Sequence, residues 1–145
     1  MSVTPEKMAE FVALLARHTP REGFNETGID NFITYRETAV HARCSSVYEP
    51  GIIIIGQGKK HCYVDGEKYD YSAGNYLTLF LPMPVEVEVV AASAAEPLLM
   101  AGIKIDLMKI ANILVKMDMA QTSLAASQPG DPSAIFARPL TNNLL

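Results

Sequence analysis

Two hydrophobic periods divide the chain. Near the start, Met8, Phe11, Val12 and Leu15 recur at helical spacing, which predicts one amphipathic helix. Thr4 suits its N-cap, and Pro5 its first turn, where the missing N–H costs nothing. His18-Thr19-Pro20 closes it, and Arg21-Glu22-Gly23 reads as a loop. From Ile29 to Ile105 the period shortens to that of β-structure. Strands are expected at Ile29–Arg36, Ala42–Glu49, Ile52–Ile55, Lys60–Val64, Glu67–Tyr71, Tyr76–Phe80, Val85–Val89 and Leu98–Ile105. The isoleucine run has no polar side, so its strand should be covered on both faces. Val85-Glu86-Val87-Glu88-Val89 alternates strictly, which places its glutamates in water.

The breaks between these runs carry turn chemistry. Asp65–Gly66 fits a tight type I′ hairpin between Lys60–Val64 and Glu67–Tyr71. Pro50–Gly51 and Ser72-Ala73-Gly74 stop strands, Gly56-Gln57-Gly58 breaks or bulges one, and Pro82-Met83-Pro84 interrupts the ladder. Short strands at this spacing predict an antiparallel sandwich or barrel, with nothing long enough between them for a crossover helix. Beyond Asp106, a good N-cap, a second helix is expected over Leu107–Met119, with Leu107, Ile110, Leu114 and Met117 in one apolar stripe. Gln121 to Pro132 reads as a polar linker, followed by a short last helix from about Pro132–Ser133. The apolar ending at Leu144–Leu145 reads as a truncation.

Composition narrows the classes. With 49% hydrophobic and 19% charged residues over 145 positions, one folded domain is expected and disorder is excluded. No apolar run approaches the roughly 20 residues that cross a bilayer. The N-terminus carries Glu6, Lys7 and Glu10 and does not resemble an export signal, so a cytoplasmic protein without a membrane partner is expected. The formal net charge of −4 argues against a phosphate-gripping face, so this chain should not bind DNA by itself. Cys44 and Cys62 have neither CxxC nor zinc spacing and are expected as free thiols.

The hairpin region is where chemistry could sit. Cupin metal centres use H-x-H, three or four residues, Glu, six residues, Gly, then a second motif P-x-G-x-x-H. Here His61-Cys62-Tyr63 is followed by Glu67 and Gly74 at matching spacing, but Tyr63 stands where the second histidine would be. In Pro82-Met83-Pro84-Val85-Glu86-Val87, Pro84 replaces the glycine and Val87 the histidine. Catalytic metals take about three protein ligands, and His61 with Glu67 are too few. No metal, cofactor or catalytic residue is expected. There is no G-x-S-x-G elbow, no Walker or dinucleotide glycine pattern, and no residue to orient either Cys/His pair. Arg36, Tyr48, His61 and Tyr63 are the candidate effector-binding residues, on strand positions from which a polar group could reach an interior cavity. Cys62 points the other way from His61 and Tyr63 and is expected to pack.

The run from Tyr48 through Pro50, the isoleucines and Gln57-Gly58-Lys59-Lys60 resembles the AraC-type transcriptional regulator N-terminal domain. Tyr63, Gly66, Tyr69, Tyr71, Gly74, Tyr76-Leu77, Pro82-Met83-Pro84-Val85 and Pro97-Leu98 continue the likeness, and Thr27 and Arg36 fit its opening pattern. It covers about residues 20 to 120. The resemblance implies a cupin-like antiparallel β-barrel of the jelly-roll type (a double-stranded β-helix), mainly β, with flanking N- and C-terminal helices. Residues 1–20 would be the helix, 21–105 the barrel, and 106–145 the helices and linker toward a missing helix-turn-helix domain. It also implies a small organic effector in the barrel and a homodimer built by Leu107, Ile110, Leu114 and Met117. DNA would be contacted only through the absent C-terminal half. The tail Ile135–Leu140 resembles the start of the helix leading there, with Pro139 departing from the family's usual Leu. A stand-alone cupin enzyme, such as a metal-dependent isomerase or dioxygenase, and a ligandless dimerisation module are the alternative readings.

Overall fold

The computed structural model describes residues 2–120 and 135–141. Helix α1 (Pro5–Arg17) precedes nine strands: β1 (Gly23–Glu26), β2 (Phe32–Glu37), β3 (His41–Tyr48), β4 (Gly51–Gln57), β5 (Lys59–Val64), β6 (Glu67–Ser72), β7 (Asn75–Leu79), β8 (Met83–Ala91) and β9 (Leu98–Lys104). Helix α2 (Leu107–Ala120) and strand β10 (Ile135–Pro139) follow. All pairings are antiparallel, in a six-stranded sheet ordered β1-β2-β9-β4-β7-β10 and a four-stranded sheet ordered β3-β8-β5-β6. The mainly β, antiparallel class is as expected. The sheets stack as an open sandwich, however, and among the described residues no strand pairing closes them into a barrel.

Strand β4 shows why the layers stack as they do. Ile53 and Ile55 face the four-stranded sheet and join Leu77, Leu79, Leu98 and Met100 against Cys62, Tyr71, Val85, Val87 and Val89. Ile52 and Ile54 face the other way, with Leu99, Ala101 and Leu140, under the α1 residues Phe11, Val12 and Leu15. The β-branched run is thus buried on both faces, as its lack of a polar side required. The helix sits on Gly56, where a Cβ would lie 2.8 Å from Leu15 Cδ2 and 3.2 Å from Phe11 Cε1. Its end is tied down by β2: Thr34 Oγ1 donates to the His18 carbonyl at 3.0 Å, and Arg36 Nη1 to the Thr19 carbonyl at 3.5 Å.

Local chemistry holds at most turns. Thr4 caps α1 through the Lys7 amide. Asp65 and Gly66 take φ of 49° and 81°, the positive pair a type I′ hairpin demands. Asp106 Oδ1 accepts from the Met108 and Lys109 amides at 3.0 and 3.1 Å and starts α2.

Four expectations are corrected. Residues 29–31 are a turn rather than strand, with Asn31 at φ 63° and Thr27 Oγ1 donating to the Phe32 carbonyl. The loop read at Arg21-Glu22-Gly23 holds for Arg21 and Glu22 but ends at Gly23, where the short strand β1 begins, whose four residues carry no readable alternation. Pro84 lies inside β8 because only β3 flanks it there; β5 reaches no further than Glu86, so the missing N–H breaks no ladder. Residues Ile135–Pro139 form strand β10 on the otherwise free edge of β7, not a helix, and Leu140 is buried beside Tyr76. A start for that helix at Pro132–Ser133, the linker at 121–132 and the ending at Leu144–Leu145 lie outside the described residues.

Candidate functional site

A cavity of about 710 Å³ lies between the two sheets. Its inner wall is built by strand alternation: Ile33 and Tyr35 of β2, Ile53 of β4 and Met100 of β9 face Cys44, Ser46 and Tyr48 of β3, Lys60 of β5 and Val87 of β8. Toward the surface it passes the exposed Phe24, Val47 and Glu49. At this rim Glu49 pairs with Lys104 at 3.8 Å. The Phe24 and Tyr35 rings lie 4.9 Å apart.

The polar groups of the interior are few. Tyr48 Oη and Tyr71 Oη share a hydrogen bond of 2.6 Å. Burial pushes both phenols well above their ordinary value, so each keeps its proton at any physiological pH. Tyr35 Oη donates to Glu37 at 3.0 Å, and its phenol is raised first by burial and then by that carboxylate. The second oxygen of Glu37 meets His41 Nε2 at 3.3 Å. Cys62 is fully buried, and burial pushes its thiol up to about 11. Lys60 is 6% exposed, and burial holds its ammonium below the ordinary lysine value, with Glu37 acting in the opposite sense.

Of the four candidate effector residues, the structure brings Tyr48 alone to the cavity. Arg36 is on the opposite face of β2 and reaches the end of α1. His61 and Tyr63 are on the outer face of the four-stranded sheet rather than in the interior. Cys62 and its neighbours at i±2, Lys60 and Val64, take the inner face, so the alternation is shifted by one residue from the cupin reading. The same pleat buries Val87 and leaves Glu67 exposed at the hairpin. Among the described residues, no three His, Cys, Asp or Glu side chains are grouped to hold a metal ion.

The outward pair instead builds a polar ladder. Glu88 Oε2 accepts from His61 Nδ1 at 3.1 Å and from Tyr63 Oη at 3.0 Å. These two hydrogen bonds, His61 first, hold the Glu88 carboxyl below the usual carboxylate range. Arg43 stacks over the Tyr63 ring at 3.5 Å and pairs with Glu86 at 3.3 Å. A depressed carboxyl favours the folded state above its ordinary range, and that contribution is lost as pH falls through the lowered value. Glu88→Gln should therefore flatten the acid limb of stability against pH, lowering stability somewhat at neutral pH and leaving it nearly unchanged below the lowered value. Urea melts at a series of pH values would show it; an unchanged acid slope would exclude this role for Glu88.

Lys60, Tyr35 and Glu37 were not singled out from sequence. The signal was present, because the packing role of Cys62 fixes the inner face of β5, and Lys60 lies two residues before it.

The fold is a mainly β, antiparallel two-sheet sandwich with flanking helices. A family model described as the AraC-type transcriptional regulator N-terminus matches residues 28–145, and the chain belongs to that family. It is thus an N-terminal regulatory domain of the AraC type. The chain is also similar to the crystal structure of apo ToxT K231A from Vibrio cholerae strain SCE256, with 10% identity and a TM-score of 0.47. That likeness covers 85% of this chain and 45% of the other, so the chain spans less than half of that protein's length. No curated protein matches it.

Proposed function

We propose that this domain binds a small organic effector in the cavity between its sheets and relays occupancy to a homodimer. The cavity itself carries the reading: about 710 Å³ of space walled mainly by apolar side chains, in a domain of a regulator family. Effector pockets occupy roughly 300–1,000 Å³ and draw affinity from apolar walls and orientation from a few polar groups. Ile53, Val87 and Met100 supply the first, and Tyr48 the second. Regulation then proceeds by binding, without covalent chemistry.

The homodimer forms through α2. In its stripe Ile110 is half-buried, while Leu107, Leu114 and Met117 are 45%, 58% and 47% exposed within the described chain. A differential affinity of about 1–3 kcal/mol between two arrangements of such a dimer suffices for a switch. DNA is read by a separate domain of the full regulator, in keeping with the net charge of −4 here. The full protein works in the cytoplasm; no described helix is long and apolar enough to cross a membrane.

Thermal shift against a panel of small organic metabolites tests the cavity. A ligand at 100 times its dissociation constant stabilises by about 2.7 kcal/mol, an upward shift in Tm of roughly 5–10 °C for this size. Ile53→Trp, which fills the cavity, should abolish that shift. A shift of equal size in both proteins would place binding elsewhere and overturn the reading.

A further inference from the structure

We infer that Lys60 is the recognition group of the cavity and that the effector is an organic carboxylate. Its anionic head would pair with Lys60 Nζ, and its apolar body would lie along Ile53, Val87 and Met100. This rests on the proposed effector role of the cavity and deepens it.

A buried ammonium is costly unless its charge is met, which is why interior lysines usually pair with an acid. Lys60 is among the most buried polar residues of the domain, yet its Nζ has no hydrogen bond or ion pair among the described residues and keeps its accessible surface toward the cavity. Its contacts are the faces of two aromatic rings, Tyr35 at 5.4 Å and Tyr48 at 5.9 Å from the centroids. Ring faces attract a cation but supply no formal charge.

Glu37, the carboxylate that acts on its charge, is otherwise engaged, and so are the neighbouring hydroxyls. Glu37 is held by Tyr35 Oη and His41 Nε2. The Tyr48 and Tyr71 hydroxyls are bonded to each other. At the rim, Glu49 is paired with Lys104. The sheet register sets Lys60 opposite Tyr71 and Val89, and neither carries a charge that could reach it. Burial already lowers the affinity of the amine for its proton, so a carboxylate arriving in the cavity restores the charged form.

The chemistry of the site selects the class of ligand. Lys104 also lines the cavity but is paired with Glu49 at the rim, so the ammonium of Lys60 among apolar and aromatic side chains favours a monoanion with a hydrophobic body. It discriminates against cations, which would meet like charge, and against neutral sugars, whose many hydroxyls would find few partners here.

The test separates this inference from the cavity reading beneath it. N-phenyl-1-naphthylamine, a neutral fluorescent probe, would be bound to the wild-type protein and displaced with 2-naphthoate or its uncharged counterpart 2-naphthamide. The naphthoate should displace it better by about tenfold or more, the gain expected of a charge-assisted hydrogen bond. That preference should vanish in Lys60→Met and Lys60→Gln and persist in Lys60→Arg, with the neutral probe held equally by all four proteins. Equal competition by acid and amide in the wild type would overturn the carboxylate inference while leaving the cavity reading intact. A preference that survives in Lys60→Met and Lys60→Gln would overturn the assignment to Lys60. Failure of the wild type to bind the neutral probe would count against the cavity itself.

Discussion

Gly58→Ala should destabilise the domain by roughly 2–6 kcal/mol, a large share of the ~5–15 kcal/mol that holds a typical domain together. Gly58 alone separates β4 of one sheet from β5 of the other, and it makes that crossing at φ 90°. Holding a residue with a Cβ in this region costs about 1–3 kcal/mol. The added atom would also lie 2.7 Å from the Ala91 carbonyl oxygen and 2.9 Å from Leu98 Cα. Both are backbone and cannot swing aside, and overpacking of this kind adds about 1–3 kcal/mol. Gly66→Ala is the internal control: its φ is similarly positive at 81°, but nothing lies within 4 Å of the new atom. Urea midpoints of the two variants should differ clearly, with Gly58→Ala much the lower. Equal midpoints would mean that the close approach at Gly58 carries no energy.

The second large effect concerns assembly. Leu114→Lys combined with Met117→Lys should leave the fold of the monomer intact and weaken self-association by about 10²–10⁴-fold. Both side chains are about half exposed within the chain, so a charge there meets water and costs the monomer little. In a two-fold dimer, the exposed half of each would instead be taken out of water against its partner helix, and a loss of about 0.7–1.5 kcal/mol per side chain, recurring on both subunits, amounts to roughly 3–6 kcal/mol. Sedimentation equilibrium of wild type and variant measures this directly. Thermal denaturation at a concentration below dimerisation checks that the monomer is unharmed. A variant that associates as tightly as wild type would remove α2 from the interface.

Much of this architecture was legible in the chain because one physical signal dominated each segment. The isoleucine run could only be a strand covered on both faces, Asp65–Gly66 could only be a tight hairpin, and Thr4-Pro5 marked a helix start. The failures occurred where that signal was weak or rested on tertiary partners. Strand β1 is too short to show a period and exists because β2 offers it an edge. Strand β10 likewise completes the edge of β7, and nothing local in Ile135–Pro139 announces it. The site was harder, because β5 mixes polar and apolar residues on both faces. Reading the strand around His61 and Tyr63 assigned the metal-motif positions to the interior. The pleat anchored by Cys62 turns them outward and carries Lys60 in. A buried lysine violates the usual preference for the surface, so composition alone gives no reason to look for one.

Strand β2 serves two masters at once. Ile33 and Tyr35 form part of the cavity wall, while the intervening Thr34 and its neighbour Arg36 hold the carbonyls at the end of α1. Pairing with β1 on one side and β9 on the other makes β2 a stiff ribbon, so a shift of its backbone at Tyr35 would carry the anchors of the helix with it. The N-terminal helix therefore rides on the cavity wall as a needle rides on a diaphragm, and a fluorophore placed on its exposed side would register occupancy from outside the chamber.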